Sequence, residues 1–276
     1  MDIQLNGSTR LYFIVGHPIK QVKSPEGVTQ ELINKGLNAI VPPADVPPEH
    51  FPAFVENSKY ILSTDGLIIT VPHKISAFEQ CDKVTERARF IGAVNTMRRC
   101  SEGWEGDMLD GTGMIQAIKS KNIELKNKRV ILAGAGGAGK AIAYELLISE
   151  VAELAIFDLD TARQQQLVEH LNKLEKAKVI AHDNNPTGYD VVVNATPMGM
   201  NGDPSAAFQL DYLTAEMAIA DVVTSPEKTP FVSHALALGC TAVKGTEMFV
   251  QVRDLMVNFL LENIHKNNGD DNENAA

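Results

Sequence analysis

The sequence holds 276 residues, 44% of them apolar and 22% charged, the balance of a globular protein with room for two ordinary domains. Its 35 acidic against 25 basic side chains leave a net charge of −10, which argues against nucleic-acid and anionic-membrane partners but leaves local clusters able to grip a small anion. Three widely spaced cysteines, Cys81, Cys100 and Cys240, form no CxxC or zinc spacing, and the seven histidines show no HxH or HExxH, so neither disulfides nor a metal is expected.

The start, Met1-Asp2-Ile3-Gln4, lacks the basic and apolar regions of a signal peptide, and no apolar run approaches the roughly 18 residues that span a bilayer. A cytoplasmic protein, monomer or homodimer, with a small-molecule substrate and no nucleic-acid or membrane partner is expected. Leu11–Val15 reads as a strand, and Ser24 as the N-cap of a helix with Pro25 at its first position. Asn38–Val41 is a short strand before the turn segment Pro42–Pro48. His50–Tyr60 reads as a helix, Gly66–Val71 as a buried strand, and Lys74–Arg89 as one further helix. Such alternation predicts βαβ units and a mainly parallel sheet.

Composition shifts at Ser101–Gly113, rich in Gly and Asp. Helix Met114–Lys119 then leads to strand Lys126–Ala133, helix Lys140–Ser149, strand Leu154–Phe157 and helix Thr161–Leu174. Strands Lys178–Ala181, Asp190–Asn194 and Ala218–Val223, helix Phe231–Leu238 and a last helix Met248–His265 complete the chain. The polar stretch from Lys266 is expected to be disordered. The domains predicted are 1–107, catalytic and substrate-binding, and 108–243, a dinucleotide-binding unit. Residues 244–265 form a helix returning to the first domain, and 266–276 a tail.

Between a strand and a helix lies Gly134-Ala135-Gly136-Gly137-Ala138-Gly139, a GxGxxG sequence. There the first glycine permits the turn, the second lets backbone approach a pyrophosphate, and the third lets helix and strand pack closely. The letters also fit GxxxxGK through Lys140, but Ala141 stands where a P-loop needs a magnesium-binding hydroxyl. A glycine-rich turn without ligand is the bland alternative. Asp158 ends the next strand, where a carboxylate accepts hydrogen bonds from the adenosine ribose and repels a 2′-phosphate. Leu159 and Asp160 follow, and Arg163 lies one helical turn further on, so NAD is preferred, with NADP possible. Asp160 fits the N-cap of the following helix better than Asp158 does.

Seven stretches then occur in order: Gly16-His17-Pro18-Ile19 through Ser24-Pro25, Thr70-Val71-Pro72-His73-Lys74, Gly92-Ala93-Val94-Asn95-Thr96, Asp110-Gly111-Thr112-Gly113, the glycine loop, Asn194-Ala195-Thr196-Pro197-Met198-Gly199, and Lys228-Thr229-Pro230-Phe231. In this order they resemble the shikimate dehydrogenase family over about residues 10–262. The resemblance implies an α/β fold with an N-terminal substrate domain, a C-terminal Rossmann NAD(P) domain and an active site in the cleft between them. It also implies reversible hydride transfer between a nicotinamide and a ring hydroxyl or ketone of a shikimate- or quinate-like polyol carboxylate, with a role in aromatic amino acid biosynthesis.

By the same resemblance Lys74 and Asp110 form the catalytic pair, an ammonium and a carboxylate able to move the hydroxyl proton as hydride leaves. Ser24, Val22, Thr70, Asn95 and Gln251 fall at substrate positions. Ala195, Thr196, Pro197, Met198 and Val223 join the glycine loop and Asp158 at cofactor positions. His17 and His73 adjoin prolines and receive no role.

The sequence also departs from the family pattern. Val22 replaces a serine that would hold the substrate carboxylate, leaving Ser24 as its hydroxyl anchor, with Lys23 beside it as a solvated lysine. Ile68, Met108, Leu109, Thr224 and Val252 replace residues usually polar, and Gln251 lies one position early, roughly 100° round the helix. A dehydrogenase with a less polar substrate pocket is expected. The alternative is a catalytically weak NAD-binding sensor or accessory module.

Overall fold

Strand β1 (Arg10–Gly16) buries Tyr12, Ile14 and Val15 and is followed by helix α1 (Ser24–Asn34), whose inward face is Val28, Thr29 and Leu32. The computed structural model describes residues 4–20, 22 and 24–270, with side chains through residue 262; Lys23 and the tail residues 271–276 lie outside the described residues. Two units emerge from the contacts, one of Met1–Leu109 with Arg253–Ala276, the other of Asp110–Val252.

The first unit continues with β2 (Ala39–Ile40), β3 (Pro43–Asp45), α2 (Phe51–Ser58), β4 (Thr64–Ile69), α3 (Lys74–Glu79), β5 (Lys83–Val84), α4 (Glu86–Ile91), β6 (Thr96–Cys100) and β7 (Gly103–Asp107). Its sheet runs β2-β1-β4-β6-β7-β5, with β3 also on β1. β2, β3 and β4 pair parallel with β1, and β5 pairs parallel with β7. The parallel sheet expected here is therefore interrupted by two antiparallel pairings, β4–β6 and β6–β7.

Two expectations are corrected in this unit, and one strand is added. The single helix over Lys74–Arg89 is two helices parted by β5, because Thr85 caps α4 by accepting from the Ala88 N–H. Within the Gly/Asp-rich segment, to which the sequence reading gave no element, residues 103–107 form β7 and return against β6 as a hairpin. The Pro42–Pro48 turn contains β3.

The second unit contains α5 (Asp110–Ser120), β8 (Arg129–Ala133), α6 (Gly137–Ile148), β9 (Glu153–Phe157), α7 (Thr161–Asn172), β10 (Lys178–Ala181), β11 (Val191–Asn194), β12 (Ala218–Asp221), α8 (Pro230–Leu238) and β13 (Thr241–Val243), then the start of α9 (Gly245–Asp270). The strand β13 has no counterpart in the sequence reading. All pairings are parallel in the order β10-β9-β8-β11-β12-β13. Counted from β8 this is 3-2-1-4-5-6, the doubly wound Rossmann order, with its topological switch between β8 and β11. One face is filled by Ile131, Val192, Ile219, Phe208, Phe231 and Val232.

From Arg253 on, α9 counts with the first unit. There the buried Arg98 of β6 donates to Phe259 O (2.9 Å) and Glu262 Oε2 (2.5 Å), with its guanidinium 4.2 Å from the Phe259 ring centroid. The helix is described to Asp270, beyond its predicted end at His265, and the rest of the expected tail, 271–276, lies outside the described residues. Among the described residues no helix is long and apolar enough to cross a membrane.

Candidate active site

In the first unit the candidate substrate residues gather at the carboxyl ends of β1 and β4 and at the adjoining amino end of antiparallel β6, the end of an open α/β sheet where ligands bind. The loops after β1 and β4 are laced together: Thr70 N–H donates to Val15 O (2.9 Å), His17 N–H to Val71 O (3.1 Å) and Val46 N–H to Gly16 O (3.1 Å). Gly16 permits this approach, since a Cβ there would run into the Thr70 methyl and crowd the Val71 carbonyl. Thr70 thus ends at the lacing point, and Lys74 opens α3 four residues on.

Asn95 is fully buried. Its backbone links β4 to β7, through Ile69 N–H to Asn95 O (2.8 Å) and Asn95 N–H to Asp107 O (2.9 Å), while Val94 N–H reaches Lys74 O (2.9 Å). Its side-chain Oδ1 accepts from the Leu109 N–H (3.0 Å) and the Thr96 hydroxyl (3.1 Å). The structure therefore brings Thr70, Lys74 and Asn95 to one strand end and makes Asn95 an organiser of the chain leading to Asp110. Val22, whose N–H donates to Ile19 O (3.2 Å), and Ser24, which opens α1, are both half-buried.

Asp107, which sequence reasoning missed, braces the same approach. Its buried carboxylate accepts from Thr85 Oγ1 (2.6 Å), Arg87 Nε (2.7 Å), Arg87 Nη2 (2.7 Å) and the Met108 N–H (2.7 Å). His73, also buried, stacks on Phe51 at 4.3 Å and places Nε2 2.7 Å from Val46 O; burial lowers its pKa. His17 places Nδ1 2.8 Å from Asp45 Oδ1.

Among the departures, Ile68, Met108 and Leu109 are buried within the first unit, and Val252 is buried against Gly113 in the second. Thr224 is exposed and Val22 half-exposed, so these two change the accessible surface. Gln251 is half-buried on α9 beside Val252.

The second unit carries the glycine loop from β8 into α6. A Cβ on Gly139 would overlap the Gly134 carbonyl oxygen, so only glycine allows helix and strand this close; Gly134 itself has φ +103°. Gly136 and Gly137 are exposed at the head of α6. Among the described residues, outside the adjoining chain, no heavy atom lies within 4 Å of where their Cβ atoms would stand. The positive end of this helix of 12 residues is thus open, an arrangement able to receive an anion. Ala138 is half-buried and Ala135 buried beneath the loop. Ala141 is buried, and its carbonyl leaves no room for a Cβ on Gly111, so it serves helix packing between α5 and α6.

Asp158 follows β9, and its carboxylate accepts from the Ala135 N–H (2.7 Å), the Asp160 N–H (2.9 Å), Arg163 Nε (3.2 Å) and Arg163 Nη2 (2.6 Å). Burial pushes its pKa up, but Arg163 and the two N–H groups outweigh that and bring it below the ordinary carboxylate value. Asp160 is the N-cap of α7, accepting from the Ala162 and Arg163 N–H groups (3.1 Å each).

The loops after β11 and β12 are joined by a network absent from the sequence reading. Asn194 Oδ1 accepts from Thr196 N–H (3.0 Å) and Oγ1 (2.7 Å), and its amide donates to Asp221 Oδ1 (3.0 Å). Asp221 also accepts from the Val223 N–H (3.0 Å) and the Thr229 hydroxyl (2.6 Å), which caps α8. Ala195, Thr196, Pro197, Met198 and Val223 are thereby held at adjacent strand ends. Asp221 is fully buried, and desolvation raises its pKa despite these donors. Asp110 opens α5, nearly buried in the same unit.

A family model for the shikimate dehydrogenase substrate-binding domain matches residues 14–97. A shikimate dehydrogenase (NADP(+)) of Methanopyrus kandleri is 30% identical over 260 residues, covering 91% of this chain and 89% of that protein. Among solved structures, the ligand-free 5-ketofructose reductase of Gluconobacter sp. strain CHM43 aligns with a TM-score of 0.85 at 30% identity, covering 92% of this chain and 93% of that one. The quinate dehydrogenase of Corynebacterium glutamicum in complex with NAD aligns with a TM-score of 0.83 at 29% identity, covering 91% and 93%.

Proposed function

The chain belongs to the shikimate dehydrogenase family and is an NAD(P)-dependent dehydrogenase acting on a CH–OH group; from that premise we propose that it interconverts a ring hydroxyl and ketone of a small cyclic polyol carboxylate, with NAD preferred over NADP. The dehydrogenase reading displaces the sensor alternative. The observation that carries the proposal is that one chain holds both an open glycine loop at the head of α6, in its second unit, and the Thr70, Lys74 and Asn95 cluster at the β4 end, in its first.

The cofactor, when bound, supplies the hydride acceptor or donor. Gly136, Gly137 and Ala138 would hold its pyrophosphate through N–H groups, Asp158 its ribose, and Ala195–Met198 with Val223 the nicotinamide side. Lys74 and Asp110 handle the proton: the Lys74 ammonium donates to the forming hydroxyl in reduction, the neutral amine takes the proton back in oxidation, and Asp110 supplies a second acid–base group. Ser24, Thr70, Asn95 and Gln251 orient the ring. The preference for NAD is supported by an acidic side chain, not a basic one, at the β9 terminus. A cytoplasmic location and a monomer or homodimer belong to the same reading.

A second reading is favoured by one position. Val22 presents an apolar side chain in the β1 loop where the family pattern has a carboxylate-binding hydroxyl, and a reductase of 5-ketofructose is among the similar structures. A neutral keto sugar would suit such a loop. The test is a steady-state panel of shikimate, quinate, simpler cyclic hydroxy acids and 5-ketofructose with each nicotinamide cofactor. Turnover of the carboxylates supports the first reading; turnover confined to the neutral sugar supports the second.

A further inference from the structure

An ionised carboxylate has two oxygens and about four acceptor positions. In Asp158 they are taken. Oδ1 accepts from the Asp160 N–H and Arg163 Nη2, and Oδ2 from the Ala135 N–H and Arg163 Nε. The two backbone donors are fixed by the glycine loop and by the start of α7. The two from Arg163 are not, because that side chain is half-exposed, whereas the Asp158 side chain is 5% exposed.

We infer that Arg163 is an internal competitor for the ribose-binding face of Asp158, a latch that NAD must displace before its adenosine ribose hydroxyls can donate to that carboxylate. The inference rests on the cofactor reading above and names a residue that sets cofactor affinity. The geometry favours this exchange over a fixed structural pair. Arg163 sits on the first turn of α7, so its release leaves β9, the loop and the helix cap unchanged, and Asp158 keeps its orientation through the Ala135 and Asp160 N–H groups. A released guanidinium stays on the same helix turn, where it offers paired donors to a ribose 2′-phosphate. The latch therefore weakens NAD binding without a matching penalty on NADP.

Isothermal titration of the full-length protein with NAD and with NADP tests this, on wild type, Arg163→Met and Arg163→Gln, with thermal melts to confirm folding. A half-exposed pair is worth little, so the expected gain is about two- to fivefold in NAD affinity, with NADP affinity unchanged or reduced. KM for NAD should fall by more than kcat changes. In an Asp158→Asn background the Arg163→Met gain should vanish, as coupled neighbours require. Cofactor binding by all proteins with NAD affinity unchanged or weakened in both Arg163 variants would overturn the latch alone. Wild type binding neither dinucleotide would overturn the cofactor reading and the latch with it.

Discussion

The two units solve different problems with different sheets. The second is all parallel in the order β10-β9-β8-β11-β12-β13, and its candidate cofactor positions are largely main chain: a glycine loop, a helix N-terminus and strand-end loops tied by Asp221. The first is mixed, and its candidate groups are side chains brought together by hydrogen bonds between loops that follow different strands. A cofactor whose recognition rests on phosphate and ribose can be bound by backbone, which tolerates much sequence change. A substrate ring must be oriented by particular side chains, and four of this chain's departures from its family pattern, Val22, Ile68, Met108 and Leu109, lie in that first unit, with Thr224 and Val252 in the second.

The sharpest test of that contrast is chemical. Lys74→Ala and Asp110→Asn should each lower turnover by roughly 10²–10⁴, the range for a lost proton-transfer group, while NAD affinity stays within about twofold by titration. Parallel losses of turnover and cofactor affinity would erase the distinction between substrate-side and cofactor-side residues.

Next in size is a backbone effect. Gly139→Ala places a Cβ on the Gly134 carbonyl, and overpacking of this kind costs about 1–3 kcal/mol. Calorimetry should show a lower melting temperature and weaker cofactor binding. Intact NAD affinity in that variant would show that the loop is not the cradle.

Substrate choice should respond to Val22. Val22→Ser restores a hydroxyl that can hydrogen-bond a carboxylate, an interaction worth about 1.5–3 kcal/mol. KM for shikimate or quinate should fall roughly tenfold or more, with KM for NAD unaltered. An unchanged KM for both acids would remove the β1 loop from substrate selection.

The smallest effect separates two buried aspartates of the second unit. Asp158 has a lowered pKa in the fold, so its contribution is present above the unfolded value of about 3.9 and is lost as pH falls through the folded value. Asp221 has a raised one, so its contribution is present below about 3.9 and is lost as pH rises through the folded value. Urea melts across the acid range should therefore show Asp158→Asn flattening the acid-side loss and Asp221→Asn making it steeper. The same change of slope in both variants would contradict the opposite signs.

The cofactor-side unit was the more legible in sequence for the same reasons that make it backbone-driven. Gly134 to Gly139 and Asp158 lie close in the chain, and each local signal points to one geometry. The hairpin of the first unit was hidden because its strands lack apolar alternation. Arg98 and Glu105 stand opposite each other on β6 and β7, and the pair is buried, with Arg98 Nε donating to Glu105 Oε2 at 2.8 Å. Two charges that neutralise each other across a sheet look like surface residues when read singly. The short strand Lys83–Val84 was likewise invisible, since it exists by pairing with that unseen hairpin.

At the candidate site, proximity along the chain again decided what could be read. Arg163 was noted one turn beyond Asp158, but its contact depends on the cap by Asp160 and the side-chain geometry. The Asn194, Asp221 and Thr229 network joins separate strand ends, and no spacing rule announces it.

The central claim is hydride transfer to or from a ring carbon with Lys74 moving the proton. Its most direct test follows nicotinamide absorbance for wild type and Lys74→Ala with NAD and NADP across shikimate, quinate and 5-ketofructose. Wild type should convert the cofactor steadily with at least one of these compounds, NAD serving better than NADP, and the variant should lose that conversion. Equal rates for both proteins, or no conversion of any compound by wild type, would contradict it.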